Sequence, residues 1–268
     1  LKQTNFCGQY YVLDKSQGGI INSVVFPCPD EHGFKGILVA PTVHGNLIVG
    51  PDAYQVEDGD HVATVEPYLS QVKSGGLRSV PGIDFRQTIH EYAGVRPNTQ
   101  IPDFVIEESP ICPHFINLAG IKSPGLSAAP AIALEGLRIL SGCGLELTEK
   151  ETFIDRRRRI KFRELSNAEK AAVIAEDPLY GRVICRCETV TEGEIVEAIH
   201  RPIVPRSIDA IKRRCNAGMG RCQGGFCGPR VHEILARELG VSPMDITMDE
   251  EGTWLLSSPI KEVSVHDA

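Results

Sequence analysis

Four cysteines in two close pairs limit what this chain can fold into more than any other feature. Cys185 and Cys187 stand in the stretch ICRC, and Cys222 and Cys227 frame two glycines in RCQGGFC. Thiolates bind zinc or iron–sulfur clusters, and glycines let the backbone curl around a bulky group and offer N–H donors to it. Zinc sites more often use C-x2-C pairs. The wider second pair therefore favours a larger cluster, while a structural zinc site stays open as the alternative.

Helix signals surround both pairs. Thr191 and Glu194 have the form of a capping box, which predicts a helix over 192–200. Ser207 can cap a second helix, whose last turn is basic. Pro229 and Gly240 mark the start and the end of a third. The two cysteine pairs are thus predicted to lie on loops outside three short helices.

The bulk composition excludes some classes of function. A net charge of −7 and a pI of about 5.7 argue against a wide nucleic-acid surface. No stretch has the apolar length needed to span a membrane. The basic run 156–159 is interpreted as a solvated linker or a face that pairs with acidic neighbours. We expect a cytoplasmic location, with peripheral contact to a membrane left open.

The cysteine count favours metal binding over wholesale disulfide pairing, because nine is odd and the context looks intracellular. Four cysteines lack partner spacing and are interpreted as buried or free thiols: Cys7, Cys28, Cys112 and Cys143. The first residue is not Met, and the chain reads as a piece of something longer.

The remaining pattern predicts an α+β fold with a mostly antiparallel sheet. Short β-branched and aromatic runs predict strands at 9–15, 21–27, 36–41, 46–50, 86–97, 104–109 and 115–120, with a tight turn at 44–46. Helices are predicted at 66–79, stopping at a Gly-Gly pair, and at 126–140 as a buried helix. We expect four segments: 1–150, a linker at 151–181 with a short helix at 166–175, the cysteine unit at 182–240, and a tail at 241–268 with a strand-like 253–257.

The stretch KRRCNAGMGRCQGGFCGPRV, with the helix signals around it, resembles the bacterioferritin-associated-ferredoxin type of 2Fe–2S domain. The resemblance covers about 182–240. It implies that the metal ligands are Cys185, Cys187, Cys222 and Cys227. Cys215 stands where that family often has another residue, and it is interpreted as a packed thiol rather than an alternative ligand.

Three stretches of the first half, PTVHGNLIVGPDA, EYAGVRP and LAGIKSPGLSAAPAIA, resemble FAD-dependent oxidoreductases of the D-amino-acid-oxidase type. Within that group they look most like bacterial glycerol-3-phosphate dehydrogenases and related 2-hydroxyglutarate oxidases. The resemblance implies that Arg96 faces the substrate. His44 is a second catalytic candidate, as a base, although a turn tip also suits a solvent-facing histidine. The flavin-contact residues implied are Gly120, Ile121, Lys122, Ser123, Pro124, Gly125, Leu126 and Ser127.

One departure from that family is important. The chain lacks the G-x-G-x-x-G turn that holds the ADP half of FAD, so the N-terminal dinucleotide domain is expected to be missing and the fragment inactive alone. The resemblance implies the C-terminal part of an FAD-dependent dehydrogenase that oxidises glycerol 3-phosphate and relays electrons through a 2Fe–2S cluster. The implied partners are a small anionic substrate, the missing FAD-binding domain and an electron acceptor, with no nucleic acid.

Three alternatives stay open at this point. The substrate could be L-2-hydroxyglutarate or another 2-hydroxy acid, because Arg96 could clamp either anion. The cluster unit could instead be a redox-sensing or docking module in a non-catalytic electron-transfer partner. The third alternative is a zinc-stabilised interaction domain.

Overall fold

The computed structural model describes residues 1–29, 36–156 and 159–260. The chain divides into two units, Leu1–Phe153 and Ile154–Ala268. Each has its own cluster of buried hydrophobic residues. Both units combine helices with antiparallel strands, so the predicted α+β class is confirmed.

An antiparallel five-stranded sheet forms the centre of the first unit. Its strands are β1 (Gln3–Leu13), β2 (Leu38–Pro41), β3 (Leu47–Gly50), β4 (Tyr54–Val56) and, after helix α1 (Glu66–Ser79), β5 (Thr88–Thr99). The order is β2–β3–β1–β4, and the long strand β5 also pairs with β1. Two short 3-10 helices, Lys15–Gln17 and Phe85–Gln87, lie beside it. The predicted strand at 21–27 is reduced to one bridge, between Val25 and Val39.

Helix α1 packs on the sheet through its glycines. Leu69 and Val72 are buried with Val49 of the sheet. The helix covers 66–79 as predicted, but it continues through Gly75 and Gly76 instead of stopping at them. A Cβ on Gly75 would lie 2.5 Å from the Ile37 side chain, so the glycines are needed for close helix–sheet contact rather than for a stop.

A hairpin and a helix complete the first unit. Strands β6 (Val105–Glu108) and β7 (Ile116–Ala119) pair antiparallel, and a short turn leads into α2 (Gly125–Gly142). The sequence predicts a buried helix here. The structure shows Leu126 at 94% and Leu134 at 70% exposure, because little of the described first unit covers this face.

The second unit is mainly helical. It contains α3 (Asn167–Glu176), β8 (Val183–Cys185), β9 (Val190–Thr191), α4 (Glu192–Ile199), α5 (Ile208–Cys215) and α6 (Gly228–Leu239). The unit also has three 3-10 helices: Phe162–Glu164 before α3, Pro178–Gly181 between α3 and β8, and Pro243–Asp245 after α6. The segment predicted as a linker therefore carries helices that belong to this unit.

Further sequence predictions for the second unit concern its capping box and its strand-like tail. The predicted capping box at Thr191 forms hydrogen bonds in both directions, and the structure shows a second capping box at Ser166. The strand-like tail is reduced to one bridge, between Thr247 and Trp254. Two arginines of the basic run 156–159 lie outside the described residues. Among the described residues, no helix has the length and apolar character needed to cross a membrane.

Candidate functional site

The four predicted ligand cysteines come from four different positions in the second unit. Cys185 ends β8 and is buried, and Cys187 follows it in an exposed turn. Cys222 is half-buried in the loop before α6, and the buried Cys227 is the N-cap residue of that helix. The β8–β9 turn and the glycine-rich loop thus bring the two sequence pairs together.

The sulfur atoms lie as two close pairs. The Cys187 Sγ donates to the Cys222 Sγ across 3.6 Å, and a second thiol hydrogen bond joins Cys185 and Cys227. Among the residues described, no three of these sulfurs form a group within 4.8 Å of one another. A single tetrahedral zinc would hold all four sulfurs about 3.8 Å apart. Four sulfurs arranged as two separate pairs therefore suit a cluster with two irons better than a single zinc ion.

The local hydrogen bonds favour the thiolate at two of the four cysteines, Cys185 and Cys222. A hydrogen bond from Cys227 lowers the pKa of Cys185 to about 6 against the effect of burial, and backbone N–H groups of Gly218 and Glu188 add to it. Burial opposes the shift at Cys222, yet the Phe226 N–H and the Cys187 thiol lower its pKa. Thiolate is the form that binds iron. The hydrogen bond with Cys185 raises the pKa of Cys227, and burial raises that of Cys187. Each close pair therefore favours one thiolate and one thiol.

Glycines leave room for the close approach of Cys187 and Cys222. A Cβ on Gly220 would lie 2.2 Å from the Cys187 Cβ. Gly218 and Gly224 have φ of 90° and 87°, a region that favours glycine. The loop can therefore lie against the turn that carries Cys187, and its donor set and shape fit a 2Fe–2S cluster.

Arginines surround the ligands. A surface cavity beside all four cysteines is also lined by Arg182, Arg186, Arg230 and Arg237. Glu192 and Glu233 line the same cavity and pair with three of these arginines, so the positive charge offsets these carboxylates as well as the charge of a thiolate-ligated cluster. Cys215 is buried in the core, its Sγ donates to the Ile211 carbonyl at 3.3 Å, and burial raises its pKa to about 11. This geometry is that of a packed thiol.

Arg96 lies on β5 in the first unit, where it pairs with Phe6 of β1. Its Nη2 donates to the Asp52 backbone carbonyl at 3.1 Å. A Cβ on Gly8 would meet that nitrogen at 2.1 Å, so glycine is needed beneath the guanidinium. The side chain is half-buried and held by its contacts.

The predicted flavin-contact segment lies at the same end of β5. Gly120, with φ of 67°, turns the chain after β7, and a Cβ there would lie 3.1 Å from Thr99 Oγ1. Thr99 is the last residue of β5, three positions beyond Arg96. The segment Gly120–Ser127 then enters the first turn of α2, as predicted, and much of it is exposed.

His44 lies elsewhere. It is exposed in the turn between β2 and β3, and the nearby Leu47 pairs with Leu13. Leu13 is seven residues along β1 from Phe6, the partner of Arg96, which corresponds to about 23 Å of strand. The structure therefore does not bring the two predicted catalytic side chains together.

Sequence reasoning missed a buried polar pair beside Arg96. Asp52 accepts hydrogen bonds from the Gln9 backbone N–H at 2.6 Å and from its side-chain amide at 2.9 Å. Both residues are buried. Asp52 lies within PTVHGNLIVGPDA, but only pairing across the sheet shows that it positions the carbonyl that Arg96 contacts.

Family models account for both units. A model described as FAD dependent oxidoreductase matches residues 1–135, and one described as BFD-like [2Fe-2S] binding domain matches residues 183–237. The chain belongs to the FAD dependent oxidoreductase family and carries a BFD-like 2Fe–2S domain at its C-terminal end. Both resemblances drawn from the sequence are confirmed.

Individual relatives agree. Over 255 residues the chain is 50% identical to a glycerol 3-phosphate dehydrogenase of Caloramator mitchellensis, covering 95% of this chain and 53% of that one. A glycerol 3-phosphate oxidase of Mycoplasma genitalium is 37% identical, covering 52% and 37%. The solved FAD-bound L-alpha-glycerophosphate oxidase of Mycoplasma pneumoniae is 35% identical with a TM-score of 0.50, covering 56% and 39%. The chain thus spans about half the length of the first of these relatives, and less of the others.

Proposed function

We propose that this chain is the C-terminal part of a cytoplasmic FAD-dependent glycerol-3-phosphate dehydrogenase. It would supply the substrate-side sheet, one flavin-contact segment and the 2Fe–2S relay. The observation that carries the proposal is the 50% identity to the Caloramator mitchellensis dehydrogenase, which extends over 95% of this chain and so covers both units. A separate electron-transfer module would need no oxidoreductase sheet beside it.

Arg96 carries the substrate part of the proposal. A guanidinium can clamp a phosphate with two parallel hydrogen bonds. Its contact with the Asp52 carbonyl uses one nitrogen and holds the side chain over Gly8, which leaves other N–H donors for an anion. The Gln9–Asp52 hydrogen bonds fix that carbonyl in turn. His44 has no part in this clamp, because it lies near the other end of β1.

The flavin part rests on the turn before α2. Gly120 and Lys122 have positive φ, and the turn they form leads into the free N–H groups of the α2 N-terminus. These donors suit the electron-rich edge of a flavin ring. The exposed apolar face of α2 is available for contact with an FAD-binding domain. When bound, FAD would supply the two-electron oxidant and the 2Fe–2S cluster the one-electron relay.

Substrate-dependent reduction of the whole gene product, loaded with FAD and cluster, tests the proposal. Glycerol 3-phosphate should bleach the flavin absorbance, and the reduced cluster should then appear in the EPR spectrum. Arg96→Ala should raise KM for glycerol 3-phosphate about 100-fold or more, since a desolvated charge pair loses its partner. Arg96→Lys should keep the charge but lose the two-pronged contact.

Arg86→Ala is the matched control, because Arg86 is exposed on the same sheet unit and pairs only locally with Asp84. It should leave KM unchanged. Bleaching by L-2-hydroxyglutarate but not by glycerol 3-phosphate would transfer the proposal to 2-hydroxy acids. Zinc in place of iron at the four cysteines would refute the proposed electron relay.

A further inference from the structure

Three side chains with metal-binding chemistry meet in the first unit, away from the iron–sulfur ligands. Glu108 ends β6, His114 lies in the loop between β6 and β7, and Cys143 follows the last residue of α2. One ligand atom from each lies within 4.8 Å of the other two. We propose that Glu108, His114 and Cys143 form a site for a divalent cation of the zinc class.

The topology explains why the three segments meet. Strand β7 leads directly into α2, and the helix runs back along the hairpin formed by β6 and β7. The C-terminal end of α2 therefore returns to the tip of the hairpin, where the loop 109–115 lies. Each ligand comes from a different segment, so an ion would tie the helix end to the hairpin.

The spacing suits a single ion. His114 Nδ1 lies 4.0 Å from Glu108 Oε1. Ligands of a tetrahedral zinc lie about 3.3–3.8 Å apart, given metal–ligand distances of about 2.0–2.3 Å. Side-chain shifts of about 1 Å or less would bring the three atoms onto one centre. A fourth position would remain for water, as in zinc sites with three protein ligands.

The chemistry of the donors selects the metal. Thiolate and imidazole together favour zinc over magnesium or calcium, which prefer oxygen ligands. The His114 backbone N–H donates to Glu108 Oε1 at 2.7 Å and orients the carboxylate. A hydrogen bond also links this carboxylate with the Cys143 thiol, so an ion would replace a proton already shared between two ligands.

The C-terminal end of α2 adds an electrostatic field that favours binding of a cation. Helix C-termini carry partial negative charge, and α2 has no basic residue in its last turn to offset it. Glu108 and His114 are exposed and Cys143 is half-buried, so a cation can reach the three side chains from solvent. No spacing in the sequence predicts this cluster, because its members are separated by six and 29 positions.

Zinc retention by the cluster-loaded chain tests the proposal, because iron then occupies the four predicted cluster cysteines. After equilibration with zinc and removal of the excess, we expect about one zinc per chain in addition to the iron. His114→Ala, Cys143→Ser and Glu108→Gln should each weaken zinc binding, measured by competition with a chromophoric chelator. Loss of an outer partner alone costs about 10–100-fold in affinity, so loss of a ligand should cost about 100-fold or more.

Cys112→Ser is the matched control, since Cys112 is an exposed cysteine of the same hairpin loop and lies outside the triad. It should keep the zinc. X-ray absorption should show one sulfur at about 2.3 Å and lighter N or O ligands for the rest. No retained zinc, equal loss in the Cys112→Ser protein, or a four-sulfur zinc shell would each overturn the proposal. Circular dichroism checks that each variant remains folded.

Discussion

Gly220 shows how one missing side chain determines the shape of the cluster loop. The Cys187 Cβ occupies the space where a Gly220 side chain would stand, at 2.2 Å. Gly220→Ala must therefore push the Cys187 turn outward and separate its sulfur from Cys222. We expect the iron bound after anaerobic reconstitution to fall from about two per chain to well below one. Iron and acid-labile sulfide analysis measures the loss.

Gly228→Ala provides the control for that experiment. Gly228 follows the predicted ligand Cys227 at the start of α6, and no described heavy atom lies within 4 Å of its added Cβ. This variant should retain its iron. Equal iron content in the Gly220→Ala protein would show that the cysteine turn has room to move, and the close approach would then have no bearing on the cluster.

Tyr180 should make the free energy of unfolding of the second unit depend on pH. Burial first, and then the charge of Glu197, raises its pKa to about 12, and its hydroxyl donates to Glu197 Oε2 at 3.3 Å. In the unfolded chain the phenol ionises near pH 10. The unfolded state therefore loses a proton that the folded state keeps. The stability from this group is complete below about pH 10 and is lost as pH rises toward about 12.

Denaturant unfolding of the wild type and of Tyr180→Phe, at pH 8 and at pH 11–12, measures this effect. Between these values the wild type should lose about 1–2 kcal/mol more of its free energy of unfolding than the variant. Tyr180 is the single tyrosine of residues 154–268, so the comparison isolates one group in this unit. Parallel pH curves for the two proteins would contradict the assignment.

The sequence predicts four cluster ligands from short spacings and glycines, which keep their meaning without tertiary context. Cys185 and Cys187 must share one turn wherever the chain goes. The substrate side is different. His44 and Arg96 both lie within stretches that resemble the oxidoreductase family, yet the register of the strands places them far apart. No local sequence pattern encodes the register between distant strands. Asp52 was missed for the same reason.

At the scale of elements, α1 depends on small residues where it crosses the sheet. A Cβ on Gly76 would lie 2.6 Å from Val49 Cγ1, and Val49 is fully buried and stiff at χ1. Gly76→Ala gains up to about 1 kcal/mol in helix propensity but overpacks the core by about 1–3 kcal/mol. We expect a net loss of about 1–2 kcal/mol, measured as a lower denaturant midpoint for the first unit.

Gly136→Ala in α2 separates propensity from packing. A Cβ added at Gly136 would meet no described heavy atom within 4 Å, so only the change in helix propensity affects stability. That variant should be more stable by up to about 1 kcal/mol. If both alanine variants stabilise the chain, Val49 moves aside easily and the packing argument for α1 is wrong.

Most elements could be predicted from periodicity and caps, but not how they are buried. The capping box at Thr191 fixes the start of α4 locally. Burial is a property of the partner surface. The apolar run of α2 predicts a buried helix, yet Leu126 and Leu134 are exposed because the first unit offers them no counterpart. The Gly-Gly pair of α1 suggested a stop, since sequence alone does not show that a sheet lies beneath it.

At the scale of the whole molecule, the two hydrophobic cores are separate. The core of the second unit includes the predicted ligands Cys185 and Cys227 together with Ile195, Ile211 and Leu235. All four predicted ligands and the helices that position them lie within residues 154–268. The first core belongs to β1, β2, β3 and α1. Folding of the cluster unit should therefore not require the oxidoreductase sheet.

Residues 154–268 expressed alone should consequently fold and hold the cluster. We expect about two irons and two sulfides per chain, and a spin-half EPR signal on dithionite reduction, the same as in the 268-residue chain. Residues 1–153 alone should bind no iron–sulfur cluster, since they contain none of the four ligands. A second unit that stays unfolded or loses iron when separated would mean that the first unit stabilises it. The cluster would then be part of the catalytic body rather than an attached relay domain.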